Sequence, residues 1–248
     1  MQDKVVVITG ASAGIGAAAA AAIAKRGHTV VMVARRKPEL EAVAAKIGPR
    51  AICIVADVTR RSEVKRVVDT AIARCGRIDV WINNVGQGIT RMPSQLTDED
   101  IDEVMRVNVK SAIYGMQEVL PHFKERKTGH VINVSSMLGR IPSALIRSAY
   151  SGAKHFLNAI TANFRTEVHQ THPGIEFSIV SPGVVRTDFG KNAIHGGPDS
   201  RTLPDSQGAE EVAEVIASVV ESRQPDVYTR AGARARVIEH YSSTGQDP

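Results

Sequence analysis

Val5-Val6-Val7-Ile8-Thr9-Gly10-Ala11-Ser12-Ala13-Gly14-Ile15-Gly16 decides how this chain folds. Apolar residues lead into Gly10, Gly14 and Gly16, and an alanine-rich segment over 17–24 follows, ending at Lys25-Arg26-Gly27. That order reads as strand, glycine turn, helix. Glycine lets a backbone turn tightly and approach a ligand with no side chain in the way. A helix that opens there offers free N–H groups and the positive end of its dipole, which suits a phosphate.

Taken alone, the stretch has three readings. One is a dinucleotide turn, although the glycines run G-x-x-x-G-x-G rather than G-x-G-x-x-G. The second is the G-x-S-x-G elbow of a serine hydrolase, with Ser12 as nucleophile. The third is a turn that binds nothing. A P-loop is excluded, because no Lys-Ser or Lys-Thr follows Gly16.

Working outward, strand-like runs fall at 5–9, 29–34, 51–56, 79–82, 130–134, 175–180 and 226–229, with helical stretches between them. Most of these runs are continuously apolar, as strands buried on both faces are. The alternation predicts a single α/β domain over 1–248: a doubly wound parallel sheet of the Rossmann type, about seven strands, helices on both faces. The irregular glycine- and proline-bearing stretch within 188–206 is expected to be a substrate flap.

Composition excludes several classes. The 248 residues are 43% hydrophobic and 23% charged, which suits a folded globular domain. No apolar run is long enough to cross a bilayer, and Met1-Gln2-Asp3-Lys4 lacks a signal-peptide layout, so no membrane partner and a cytoplasmic location are expected. Net charge is +5, but aromatic residues do not interleave with the basic ones, so no nucleic-acid partner is expected. Cys53 and Cys75 lack Cys or His neighbours at metal spacing, and His169 and His172 fall at a helix end; no metal is expected.

Chemically useful residues follow successive strands: Gly10, Arg35, Asp57, Asn83-Asn84, Ser135-Ser136 and Ser181-Pro182-Gly183. Ligands of open parallel sheets bind outside the carboxyl ends of the strands, so these predict one continuous site. Arg35-Arg36, where an acidic residue would favour NAD, complements a 2′-phosphate and favours NADP(H) over NAD(H). Asp57-Val58 would place a carboxylate and an apolar side chain against adenine. Asn108 lies on the apolar stripe of a helix predicted over 100–123. A buried amide needs partners, either a backbone hydrogen bond or a kink that holds a proton-relaying water. Tyr150 and Lys154 are four apart and share a helix face. An ammonium there would lower the phenol's pKa from roughly 10 and make it a general acid/base, with the Ser136 hydroxyl polarising a carbonyl.

Together these motifs resemble the short-chain dehydrogenase/reductases over almost the whole chain: Thr9-Gly10-x-x-x-Gly14-x-Gly16, Asp57, Asn83-Asn84-Val85-Gly86, Asn108, Ser136, Tyr150-x-x-x-Lys154 and Pro182-Gly183 with Thr187. The resemblance implies a catalytic tetrad of Asn108, Ser136, Tyr150 and Lys154. It also implies cofactor contacts from Gly10, Ser12, Ala13, Gly14, Ile15 and Gly16 at the turn. Asp57 and Val58 would contact adenine, and Asn84 and Gly86 would lie along the cofactor. Pro182, Gly183, Val185 and Thr187 would hold the nicotinamide. The substrate would be a small carbonyl or alcohol, and the assembly a homodimer or homotetramer formed by the helices that begin near Asp100 and Ala149. A non-catalytic dinucleotide sensor is the alternative of a different class. Departures are Val85 for the usual alanine, fourteen residues between Ser136 and Tyr150, and Ala13 where a basic residue often precedes the second glycine. Gln87, Met137, Leu138, Leu145, Phe189 and Ile194 are the expected pocket wall.

Overall fold

The computed structural model describes residues 3–244. Seven strands form one parallel sheet: β1 (Val5–Thr9), β2 (Thr29–Ala34), β3 (Ala51–Val55), β4 (Val80–Asn83), β5 (Gly129–Val134), β6 (Ile175–Ser181) and β7 (Asp226–Tyr228). Their spatial order is β3-β2-β1-β4-β5-β6-β7. Each lies within one residue of its predicted bounds, and the doubly wound sheet is as expected.

The helices are α1 (Gly14–Lys25), α2 (Lys37–Ile47), α3 (Arg61–Cys75), α4 (Asp98–Met105), α5 (Ser111–Arg126), α6 (Ser148–His169), α7 (Ala209–Ser222) and α8 (Ala233–Ser243). Alternate strand residues face opposite ways. Val6 and Ile8 of β1 join a core with α1, α2 and α7, while Val5 and Val7 join a second core with α3, α5 and α6. Both faces are therefore apolar, which explains the unbroken hydrophobic runs.

The helix predicted over 100–123 is not continuous. A π-helical turn, Arg106–Lys110, separates α4 from α5, and Asn108 sits in it. The buried Asn108 amide donates to Val104 O and Gln87 O, both at 2.9 Å, and its oxygen accepts from Gln87 N at 3.1 Å. A side chain that captures an outside backbone segment wedges open the local ladder, a known cause of such bulges.

At the sheet centre a buried polar ladder ties the layers together. Trp81 Nε1 donates to Asn83 Oδ1 (2.7 Å), Asn83 Nδ2 to Asn133 Oδ1 (2.8 Å), and Asn133 Nδ2 to Thr161 Oγ1 (2.8 Å) on α6. Each such group left unpaired would cost about 1–3 kcal/mol, so the ladder fixes α6 in register with β4 and β5.

His130, on β5, is fully buried, with Nε2 2.7 Å from Ser178 Oγ. Burial, with smaller contributions from Arg223 and Lys4, pulls its pKa down to about 3. The fold holds the imidazole neutral, whereas the unfolded chain protonates it near 6.5. Its contribution is therefore fully present above 6.5 and is lost as pH falls toward 3. Going from pH 7.5 to 5 should cost about 2 kcal/mol from this group. Urea melts of wild type and His130→Gln across that range check this: the variant should show a shallower pH slope, and an unchanged slope refutes the assignment.

Candidate active site

The turn after β1 is built by backbone geometry. Gly10 and Gly14 have φ of 70° and 53°, a region side-chain-bearing residues avoid. Gly10 N and Ala11 N cross to Val33 O on β2 at 2.8 and 3.1 Å. A Cβ on Gly10 would also press on Val85 Cγ2 at 3.2 Å, so the valine that replaces the usual alanine packs directly against the turn. Asn84 braces the turn from β4, donating through Nδ2 to Thr9 O (3.1 Å) and Gly10 O (3.3 Å). α1 opens with no side-chain cap on Ala13 and no acid in its first turn, so its N-terminal N–H groups face the cleft without a competing carboxylate.

A cleft of about 1550 Å³ runs along the carboxyl ends of the strands. That exceeds the roughly 300–1,000 Å³ of a drug-sized site and leaves room for a dinucleotide and a second molecule. Residues following all six predicted strand ends line it: Gly10, Arg35, Asp57, Asn84, Ser136 and Pro182. Ser12, Ala13, Gly14, Ile15, Arg36, Val58, Gly86, Gly183, Val185 and Thr187 line it too. Two predicted site residues do not. Gly16 is buried behind the turn, where a Cβ would strike Gly10 O and Asn84 Nδ2; its absent side chain lets α1 close on β1. Asn108 is buried behind Gly86, whose Cβ position is 3.1 Å from Asn108 Oδ1 and 3.6 Å from Lys154 Nζ.

Arg35 is exposed and pairs with no carboxylate among the described residues, whereas Arg36 meets Glu39 at 3.2 Å and reaches Ser12 Oγ at 3.5 Å. That arginine is the one hydrogen-bond partner of the Ser12 side chain among the described residues. No histidine is hydrogen-bonded to Ser12 among the described residues. Burial raises the Asp57 pKa, but hydrogen bonds from the Thr59 hydroxyl and N–H, with Arg35 and Arg106 nearby, outweigh it and leave the group lowered.

Tyr150 and Lys154 project from the first turns of α6. Lys154 Nζ donates to Val134 O at 3.0 Å and lies 5.7 Å from the Tyr150 ring centroid. Ser136 Oγ, at the end of β5, accepts from Leu138 N at 3.1 Å. The loop between them is stapled to α6: Asn158 Nδ2 donates to Gly139 O at 2.7 Å and the Ser151 hydroxyl donates to Leu138 O. These staples absorb the fourteen-residue spacing and bring Ser136 beside Tyr150. Ser151 and Asn158 had no sequence signal beyond their place on the inner face of a helix.

The electrostatics differ from the expectation. Burial pushes Tyr150 up to about 12, against smaller downward pulls from the Ser136 hydroxyl and Arg147. Burial also pulls Lys154 down to about 8. Desolvation outweighs the opposing pulls at Tyr150 and acts alone on Lys154, so in the protein alone the phenol is a protonated acid.

Of the expected pocket wall, Gln87, Met137, Leu138 and Phe189 line the cleft. Leu145 points to solvent at 61% exposure, and Ile194 is drawn away to bridge Ile89. Arg147, unremarked in the sequence, takes a place on the wall. The segment between β6 and α7 crosses the cleft and is tied down by Arg201–Asp188 (2.7 Å), Lys191–Asp199 (2.8 Å) and His195–Asp100 (2.7 Å).

A seven-stranded parallel sheet with a glycine turn and a helix N-terminus at its central crevice defines a Rossmann-type nucleotide-binding fold. The short chain dehydrogenase family matches residues 4–196. An uncharacterized oxidoreductase of Staphylococcus saprophyticus is 36% identical over 192 residues, covering 76% of this chain and 77% of that protein. An alcohol dehydrogenase from Thermococcus sibiricus, complexed with 5-hydroxy-NADP, superposes with a TM-score of 0.80 at 25% identity, covering 92% of this chain and 96% of that one. A 3-ketoacyl-(acyl-carrier-protein) reductase from Brucella melitensis, complexed with NADH, gives 0.81 at 25% identity, covering 91% and 95%. The chain belongs to the short-chain dehydrogenase/reductase family of oxidoreductases.

Proposed function

We propose that the protein is an NADP(H)-dependent oxidoreductase that interconverts a ketone or aldehyde and the alcohol, with Tyr150 as the general acid/base. The carrying observation is the buried Tyr150 phenol, flanked by Ser136 and Lys154, in the same cleft as the glycine turn. The cradle fits a dinucleotide: Gly10 and Gly16 have no room for side chains, and the first turn of α1 is free of acids. Ser12, Ala13, Gly14 and Ile15 would surround the pyrophosphate, and Asp57 and Val58 the adenine. Asn84, Gly86, Pro182, Gly183, Val185 and Thr187 would flank the nicotinamide half. When bound, the nicotinamide supplies or accepts the hydride at the carbonyl carbon. Tyr150 donates its proton to the carbonyl oxygen, which completes the alcohol, and the phenolate recovers a proton from solvent. Ser136 hydrogen-bonds that oxygen and orients it. Lys154 would anchor the cofactor ribose, and Asn108, which holds the Gln87 backbone, would hold a water in the proton relay. Burial keeps the Tyr150 phenol protonated, the form that can donate to a carbonyl oxygen.

The reading includes a cytoplasmic location and a homodimer or homotetramer. The apolar groove of Leu96, Ile101, Val104, Met105 and Ala149 between α4 and α6 is the candidate face. Light scattering should give a mass of two or four chains, and Ile101→Glu should shift it toward one.

Tyr150→Phe should reduce turnover by about a hundredfold to ten-thousandfold, the usual contribution of a general acid, while NADPH still binds; wild-type ketone reduction should stay level from pH 6 to 8 as alcohol oxidation climbs. Stopped assays of both directions check this, and retained activity in the variant overturns the assignment. For the cofactor, Arg35→Ala with Arg36→Ala should weaken NADPH about tenfold to a hundredfold, as loss of charge-assisted phosphate contacts does, and leave NADH nearly unchanged. Fluorescence titration with both nucleotides decides it: equal losses exclude recognition of the 2′-phosphate.

A further inference from the structure

Among the cleft arginines that the nucleotide reading leaves without a role, Arg147 is the one whose charge acts on Tyr150. Arg147 is the residue from which α6 starts, three before Tyr150, and it lines the cleft while half-buried. Its Nη1 donates to Ile89 O at 3.2 Å. A guanidinium has five N–H donors, so most are unspent. No carboxylate lies within ion-pair distance among the described residues, and the one ionisable side chain acting on it is Tyr150 itself. Arg36, Arg186 and Arg201 at the cleft are matched by Glu39, by Glu211 and by Asp188 with Asp199, whereas Arg230 and the exposed Arg236, which also line it, have no ion pair among the described residues; of the cleft arginines only Arg147 is set against Tyr150.

The position is specific. A Cβ on Gly88 would collide with Arg147 Nη1 and would lie 3.1 Å from the Phe189 ring edge, so the guanidinium and the ring flank the same point. A Cβ on Gly197 would lie 2.8 Å from Nη2. Phe189 in turn packs edge-on against Tyr150, with ring centroids 5.4 Å apart. The guanidinium is thus part of the wall around any molecule whose carbonyl reaches Tyr150. Burial without an anionic partner is costly for a charge, and it lowers the arginine's pKa from its ordinary value. A group that supplies the missing anion recovers that cost.

We propose that Arg147 binds a carboxylate of the substrate, so that this enzyme reduces oxo acids to hydroxy acids. The proposal rests on the carbonyl-reductase reading and names its substrate class. A carboxylate is the chemistry that matches a planar fork of parallel N–H groups. Arg147 then acts as a specificity residue: it holds the acid end while Ser136 and Tyr150 hold the carbonyl end. The reaction balance is unchanged, because hydride and proton still add across the C=O bond and the carboxylate stays intact.

The test measures kcat/KM with NADPH for 2-, 3-, 4- and 5-oxohexanoate against their methyl esters, in wild type, Arg147→Gln and Arg147→Lys. At one spacing the wild type should prefer the acid over the ester by about tenfold to a hundredfold, the usual range for a hydrogen bond to a charged group. Arg147→Gln should erase that ratio mainly through KM, and Arg147→Lys should restore part of it. Equal use of acid and ester at every spacing overturns the proposal, as does a ratio that survives Arg147→Gln. If Arg147 only supports the fold, acid and ester activity fall together and the melting temperature drops, which also overturns it. If no ketone of either kind consumes NADPH, the carbonyl-reductase reading fails on its own. Titration calorimetry of the same acids and esters then decides the arginine: acid-selective binding that Arg147→Gln removes supports it, and absence of selectivity refutes it.

Discussion

The reversal of winding direction between β1 and β4 is the constraint on which this molecule depends. From β1 the chain moves outward to β2 and β3; from β4 it moves the other way, to β5, β6 and β7. Right-handed crossovers then send α1 to one face and α5 to the other. The loops that leave β1 and β4 must diverge, and a crevice opens between them at the carboxyl edge. What lies in that crevice is small or braced. Gly10 and Gly14 turn where other residues would be strained, Gly16 lets α1 close, and the Asn84 amide ties the two diverging loops together.

Chemistry in the crevice is governed by burial more than by pairs of charges. Tyr150 and Lys154 lie close together, yet desolvation pushes the phenol up and the ammonium down. The same balance holds at His130, buried on β5. Polar groups there survive because partners are placed for them, as in the Trp81–Asn83–Asn133–Thr161 ladder. The ladder holds α6 against β5, and so it sets where Tyr150 stands relative to Ser136. Arg147 is the contrasting case, a half-buried charge that bonds the Ile89 carbonyl but meets no carboxylate among the described residues.

Much of this was legible in the residues. Continuous apolar runs gave the strand positions, since a strand covered on both faces has no polar side to show. The glycine turn, the strand-end polar residues and Tyr150 with Lys154 marked the site, because i, i+4 spacing on a helix is a local geometric fact. Other features were illegible for a common reason. The break at Arg106–Lys110 arises because Asn108 bonds to Gln87, about twenty residues away in the chain. Gly16 reads like a ligand contact in the motif, but only packing shows that it faces Asn84. Leu145 and Ile194 sit near the candidate catalytic residues in sequence and do not line the cleft in space.

The sequence by itself determined the class of fold, the strand order of events along the chain and the identity of the groups at the strand ends, because period, glycine placement and helical spacing act over a few residues. Only the tertiary structure decided how those groups behave. Desolvation depends on every layer that covers a side chain, so the raised phenol of Tyr150 and the lowered ammonium of Lys154 follow from the packed cleft. The place of Arg147 on its wall follows in the same way, from the meeting of α6 with loops distant in the chain.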